Sequence, residues 1–284
     1  MTDKGKEPFL FSDLALARRL ERTEGRAGAE FVETRATFFP ESGARWIEVA
    51  GAYALYDTPA SPVTQTFGLG LFQAATEAEL ELIERFFGER GAPVYYVVSP
   101  LADATLWPLL NKRGYEPFEF TSVMFRRIEQ GVSPKAPLND RVHARLIREN
   151  EQELWSRTSA RGWSELTESG DLIADLMQIN AKRPRGLAFL AELEGQAIAA
   201  GGMSISEGVA LMAGAATIPG ARNQGAQRAL LDCRLNCAAE RGCDIAMICA
   251  APGSASQRNA EREGFRIAYT RIKWRLPQSQ SRHQ

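Results

Sequence analysis

Apolar and polar positions alternate most legibly between residues 142 and 276. "HARLIR" (143–148) has the two-residue period of a strand. "NEQELWSRTSARGW" (150–163) and "ESGDLIADLMQINA" (168–181) change to helical spacing, with Asn150 and a position near Glu168 as expected caps. Three strands follow, "GLAFLAEL", "QAIAAGGMSI" and "VALMAGAATI", joined by the short turns "EG" and "SEG". In "GAQRALLDCRLNCAAERG" (225–242), Ala226, Leu230, Cys233 and Cys237 fall on one helical face. "DIAMICA" (244–250) is a continuous apolar run, as a strand buried on both faces requires. A short helix, "SASQRNAERE", stops at Gly264, and "FRIAYTRIKWRL" (265–276) is the last strand. The predicted order is β-α-α-β-β-β-loop-α-β-α-β, and the fold class is α/β (α+β). The sheet is mixed and mostly antiparallel, flanked by helices, with the helix at 225–241 crossing to a parallel neighbour.

The first half repeats part of this pattern. Residues 89–127 run parallel to 240–275: Glu-Arg-Gly, an apolar run, a small-residue turn, a polar helix ending in Gly-aromatic, and a strand closing on an aromatic and a base. Gly114 and Gly264 stand 150 residues apart in the same register, which points to duplication. Between the halves, "EQGVSPKAPLNDR" (129–141) is rich in turn formers and reads as a linker. The expected division is residues 1–130, a linker at 131–141, a second domain at 142–276, and a disordered tail at 277–284.

Composition narrows the class. Lys and Arg total 34 against 35 for Asp and Glu, so no basic excess advertises nucleic acid. No run reaches the roughly 18 apolar residues of a membrane span, and the polar start is unlike a secretory signal. A cytoplasmic protein, monomeric or homodimeric, is expected. Cys233, Cys237, Cys243 and Cys249 have no C-x-x-C spacing and no neighbouring histidine, and read as reduced core residues. With only His143 and His283 present, a histidine-rich metal site is excluded, and no metal is expected.

The skeleton Arg-x-x-Gly occurs in "RTEGRA" (22–27), "RPRGLA" (183–188) and "RNQGAQ" (222–227). The first follows helical sequence, so its glycine reads as a helix stop. The second contains Pro184 and leads into a strand. Only the third lies between a strand and a helix, where free amides and the helix dipole favour an anion. Gly225 permits close backbone approach, Arg222 adds positive charge, and no acid appears before Asp232. The corresponding point of the first half, "ATEAELELIERFF", has Thr76 and Glu79 at capping-box spacing, with Glu77 and Glu81 adding negative charge.

With these motifs in place, residues 142–276 resemble the GNAT superfamily of acyl-CoA N-acyltransferases. "VALMAGAATIP", "RNQGAQ" and the helix after them are similar to its pyrophosphate motif, and "DIAMICAAPGSASQRNAEREGF" to its next strand and helix. The first half resembles the same fold without the motif, so the chain resembles a tandem GNAT protein of two such domains. Two positions depart from the family pattern. Gln227 replaces a glycine or alanine, and Ala260 stands where many members carry an acidic tyrosine.

The resemblance implies acetyl-CoA as cosubstrate and direct attack of an amine on its thioester. It implies that the amides at Thr217 and Ile218 meet the pantetheine arm. Arg222 with Asn223, Gln224, Gly225, Ala226 and Gln227 would hold the pyrophosphate, and Ser256 and Asn259 would contact the pantetheine or sulfur end. Tyr269 is the nearest alternative acid, or else a packed strand tyrosine. Glu207, Glu165 and Glu168 are candidate bases, or else solvated surface residues, and Trp163 is an acceptor-pocket wall or core. The leading expectation is acetylation of a small-molecule amine; a non-catalytic acyl-CoA sensor and a protein-lysine acetyltransferase are the alternatives.

Overall fold

The computed structural model describes residues 10–129, 138–164 and 170–277. Its first half comprises α1 (Leu14–Phe38), β1 (Arg45–Val49), β2 (Ala52–Tyr56), β3 (Gln65–Phe67), α2 (Glu77–Gly88), β4 (Tyr95–Val98), α3 (Leu106–Lys112) and β5 (Glu116–Arg127). Its second half comprises β6 (Val142–Leu146), α4 (Gln152–Trp163), α5 (Gly170–Ala181), β7 (Leu187–Leu193), β8 (Gln196–Ser206), β9 (Val209–Thr217), α6 (Ala226–Glu240), β10 (Ile245–Ala250), α7 (Ala255–Arg262) and β11 (Arg266–Arg275). The second half follows the order expected from its periodicity.

All eleven strands form one sheet in the order β1-β2-β3-β4-β11-β5-β10-β9-β8-β7-β6. Each half contributes one parallel pair, β3 with β4 and β9 with β10; the other neighbours are antiparallel. The middle of the sheet is a reciprocal exchange. β11, the last strand of the second half, pairs with β4 of the first, and β5, the last strand of the first half, pairs with β10 of the second. β5 and β11 then pair with each other.

The faces of the sheet are covered differently. On one face α6 buries Ala226, Leu230, Leu231, Cys237 and Ala238 against Met203, Ala210, Met212 and Ala246. On the other, α1 lays Leu16, Ala17 and Leu20 on Val209, Leu211, Ile245 and Met247. Beside it α4 and α5 pack Trp155, Met177 and Ile179 on Leu190 and Ala200. A helix from the first half therefore covers strands of the second. Buried Arg35 of α1 ties the arrangement by pairing with Asp57 at 2.6 Å and with Asp175 of α5 at 2.6 Å.

Two local expectations are corrected. Gly25 in "RTEGRA" does not stop a helix, because α1 runs through it to Phe38. A Cβ at Gly25 would lie 2.5 Å from the Tyr53 ring, and one at Gly28 would lie 2.3 Å from Leu55 Cδ1. These glycines sit where α1 presses on β2, and the missing Cβ atoms permit that approach. Asn150 does not cap α4; the Glu151 carboxylate accepts from the Arg148 amide instead, 2.8 Å away. Glu165 and Glu168 lie outside the described residues, as do most of the linker and nearly all of the tail.

Candidate functional site

The site begins where β9 and β10 part. Their parallel register covers Val209 to Leu211 against Ile245 to Met247 and then ends, although both strands continue. β9 is turned aside by a bulge: its pairing with β8 steps from Ala213↔Gly202 to Ala216↔Ala200, so Gly214 and Ala215 together oppose Gly201. Gly214 sits at φ +65°, the left-handed conformation such an irregularity requires. The bulge re-aims the last turn of β9 away from β10 and opens a gap in the sheet.

Ile218, just beyond β9, donates its amide to Ile198 O at 2.9 Å. Backbone groups of successive strand residues point to opposite edges, so the Thr217 amide faces the gap while that of Ile218 is committed to β8. Of the two amides expected at the gap, only the first is oriented for it. Gly162 of α4 lies over this point, and a Cβ there would stand 3.1 Å from the Thr217 nitrogen. Trp163 beside it has a buried Nε1 with no partner among the described residues.

Beyond Thr217 the chain turns into α6 with no side-chain cap and no acid in its first turn. Asn223 at φ +63° and Gly225 at φ +86° place two left-handed residues in one short loop, which turns successive amides outward as a concave anion-binding nest. Among the described residues the amides of 223–228 have no acceptor; the first helical bond beyond them runs from the Ala229 amide to Gly225 O at 3.1 Å. The loop is held from behind, where Asn139 Nδ2 donates to Gln224 O at 3.1 Å. Gln227 Nε2 donates to Thr217 Oγ1 at 2.8 Å, so this departure from the family pattern ties the helix start to the strand end. Free amides, a positive dipole end and a first turn without acids fit a pyrophosphate at this point, and the gap beside it fits an extended arm.

The remaining expected residues divide. Ser256 and Asn259 of α7 are exposed; Asn259 Oδ1 accepts from Arg262 at 2.9 Å. Gln257, between them, turns inward, accepting from the Gly253 amide at 3.0 Å and from Ser122 at 3.2 Å. Ala260 is buried in the α6 core, and its carbonyl accepts from the Phe265 amide. Tyr269 sits on β11, with β5 between it and β10, about 10 Å from β10 at ordinary strand spacing. Its hydroxyl donates to Glu21 at 2.8 Å beneath α1. Burial, then the Glu21 charge, pushes this phenol well above its ordinary value. This environment suits the packed strand tyrosine better than an acid for a thioester in the gap. Glu207 is at the β8–β9 turn, the opposite end of β9 from the gap, and pairs with Arg22 at 3.4 Å. His143 is exposed on edge strand β6.

Sequence reading overlooked a charged group beside the gap. Cys249, read as an inert core thiol, donates to Glu24 of α1 at 3.2 Å, and Arg271 of β11 grips the same carboxylate at 2.6 and 2.7 Å. No local motif marks these residues, since nearly the whole chain separates Glu24 from Arg271.

Residues 147–265 match the model of the Acetyltransferase (GNAT) family. Among solved structures, a GCN5-related N-acetyltransferase from Kribbella flavida aligns with TM-score 0.60 at 19% identity, covering 88% of this chain and 96% of its own. One from Sphaerobacter thermophilus aligns with TM-score 0.56 at 18% identity, covering 79% and 76%. A tandem GNAT protein from the clavulanic acid biosynthesis pathway aligns with TM-score 0.55 at 9% identity, covering 95% and 98%. At these identities the likeness is one of fold. No curated protein matches the chain.

Proposed function

We propose, from the match of residues 147–265 to the GNAT acetyltransferase family, whose members transfer acyl groups from acyl-CoA, that this chain moves an acetyl group from acetyl-CoA to the amine of a small molecule. The observation that carries the reading is the bare start of α6 beside the parted ends of β9 and β10. Arg222 and the amides of residues 223–228 would hold the pyrophosphate, with the Thr217 amide meeting the pantetheine arm. Acetyl-CoA would supply an activated thioester. The chain would supply orientation, a backbone bent at Gly214 and Ala215 to place a donor near the carbonyl oxygen, and walls that exclude water.

Attack requires a neutral amine, and an alkylamine near pKa ~10 is mostly protonated at pH 7. The nitrogen would form its bond to the acetyl carbon as the carbon–sulfur bond breaks, and its surplus proton would leave with the thiolate or to water. The small-molecule reading is supported by how the sheet is covered: α1 packs across β8 and β9, and α4 lies over the end of β9. A polypeptide acceptor needs an open groove along those strands.

Calorimetric titration with acetyl-CoA, followed by turnover across a panel of amines, tests the proposal. Micromolar binding and turnover of at least one amine are expected. Binding without any turnover would sink the enzyme reading, and unchanged affinity in Arg222→Glu and Gly225→Glu would remove the loop assignment.

A further inference from the structure

Far from the gap, two adjoining cavities of about 200 and 320 Å³ open along α1, and Arg26, Glu30 and Arg185 line both. The smaller is built by both halves: Arg22, Arg26 and Tyr53 line it from the first, Arg185 and Ser206 from the second. Ser206 ends β8 beside the turn at Glu207, so the nine residues of β9, about 25 Å at ordinary strand rise, separate this cavity from the α6 loop. Its walls are stiff. The Tyr53 ring is pressed on α1 at Gly25 and stacks on Trp46 at 5.4 Å. Pro184 and a 2.6 Å bond from the Arg185 amide to Glu30 fix the turn that carries Arg185.

Donors outnumber acceptors around this space. Glu30 is its buried acid, and both oxygens are taken, Oε1 by the Arg185 amide and Oε2 by Arg183 at 2.7 Å. Glu207, whose side chain is 51% exposed, meets Arg22 at 3.4 Å, and Arg26 meets Glu33 at 3.4 Å. Both separations exceed the roughly 2.7–2.9 Å of a strong charge-assisted bond, and exposed pairs of this kind contribute little. The same Glu33 oxygen already accepts from the Trp46 indole at 2.9 Å. Arg22, Arg26, Arg183 and Arg185 thus answer only Glu30, Glu33 and Glu207, which leaves one positive charge over. The surplus is local: the Arg185 guanidinium and the hydroxyls of Tyr53 and Ser206 have no partner among the described residues. Burial, then the Glu48 charge, raises the Tyr53 phenol above its ordinary value, so it stands as a neutral donor.

A concave space with a surplus guanidinium and uncommitted hydroxyl donors is complementary to an oxyanion. A phosphate offers acceptor oxygens in several directions, as donors on separate walls require, whereas a carboxylate offers them in one plane. We propose that this cavity is a second ligand site, which takes a small phosphate monoester. Its phosphate is held by Arg26 of the first half and Arg185 of the second, with Tyr53 and Ser206 donating from the walls. Because both halves supply the donors, the ligand ties them together. The site is independent of acyl transfer.

Calorimetry on the full chain at constant ionic strength tests this with glycerol 3-phosphate, inorganic phosphate and succinate. Wild type binds glycerol 3-phosphate more tightly than inorganic phosphate and does not bind succinate. Arg185→Ala weakens glycerol 3-phosphate about 20-fold, the scale of one lost hydrogen bond to a charged group. Arg185→Lys, which keeps the charge and loses the planar fork, falls between. Tyr53→Phe removes one hydroxyl and weakens binding about fivefold, a second reading should an arginine variant not fold. Gly225→Glu, which closes the α6 loop to anions, leaves glycerol 3-phosphate binding unchanged. No binding to wild type, equal binding of succinate, or binding lost in Gly225→Glu and kept in Arg185→Ala overturns the site. Inorganic phosphate binding as tightly as its ester overturns the monoester as its ligand.

Discussion

Each half of the sheet holds one parallel strand pair joined through a helix, and the two junctions differ in nearly every respect that matters to a ligand. At the start of α2, Thr76 and Glu79 form a capping box, with the Thr76 amide donating to Glu79 at 2.8 Å. Glu77 is bound by Lys112 at 2.6 Å and by Arg113 at 2.6 Å, so α3 neutralises the acids of α2. Just beyond β3, Leu69 is buried in the core under α2 and Leu71 in the core under α1, and the loop is tied to the one after β4 by a 2.8 Å bond from the Asp103 amide to Gly70 O. At α6 there is no side-chain cap and no acid in the first turn, and β9 and β10 stop pairing after Leu211 and Met247. On the proposed function, the contrast separates a binding junction from a structural one. Helix donors are given side-chain acceptors, and the loop after the first strand is pinned by buried leucines. The first half keeps the architecture and lends α1 to its neighbour.

The comparison can be broken at several points. The largest effect is expected from Gly28→Val, which forces a Cβ to within 2.3 Å of buried Leu55. Overpacking there costs about 3 kcal/mol, measured by chemical denaturation, while the folded fraction keeps its acetyl-CoA affinity. Gly225→Glu acts on the other junction. Strain at φ +86° and a carboxylate beside the free amides weaken acetyl-CoA binding about 100-fold by calorimetry, or about 2.7 kcal/mol.

Glu21→Gln probes the seam between the halves. Because the folded Glu21 carboxyl is raised, its contribution to stability is full below the unfolded value and is lost as pH rises through the folded one. The glutamine variant therefore gains on wild type as pH climbs above the ordinary carboxylate range of about 4.3; melting curves across pH read this. Thr76→Ala removes the cap of α2 and costs about 1 kcal/mol. It confers no acetyl-CoA binding, because Glu77 and Glu79 still stand in the first turn. The smallest change is Gln227→Ala: the bond to Thr217 is lost, and acetyl-CoA affinity moves by no more than about threefold.

Much of the second half was legible because its signals are local. Alternation over 187–217 with hairpin turns, an acid-free helix start and a glycine stop at 264 each report on a few neighbouring residues. α1 was misread because a glycine chosen for contact with Tyr53 looks, in sequence, like a glycine chosen to end a helix. The strand exchange leaves no trace in periodicity, since β5 and β11 share a pattern and either could complete either half. The Glu24–Cys249–Arg271 group was hidden by distance along the chain, and Ile218 by a pairing with β8 that depends on where the bulge falls.

The exchange of β5 and β11 sets a timetable for synthesis. As residues 10–129 leave the ribosome, β4 has no neighbour on its inner side, because that place belongs to residues 266–275. β5, already made, must wait for β10. Neither half can close its sheet until β11 has been made, so the two halves close together, through contacts of long sequence separation. Cutting it at the linker would leave two pieces that each present the edge of an unfinished sheet.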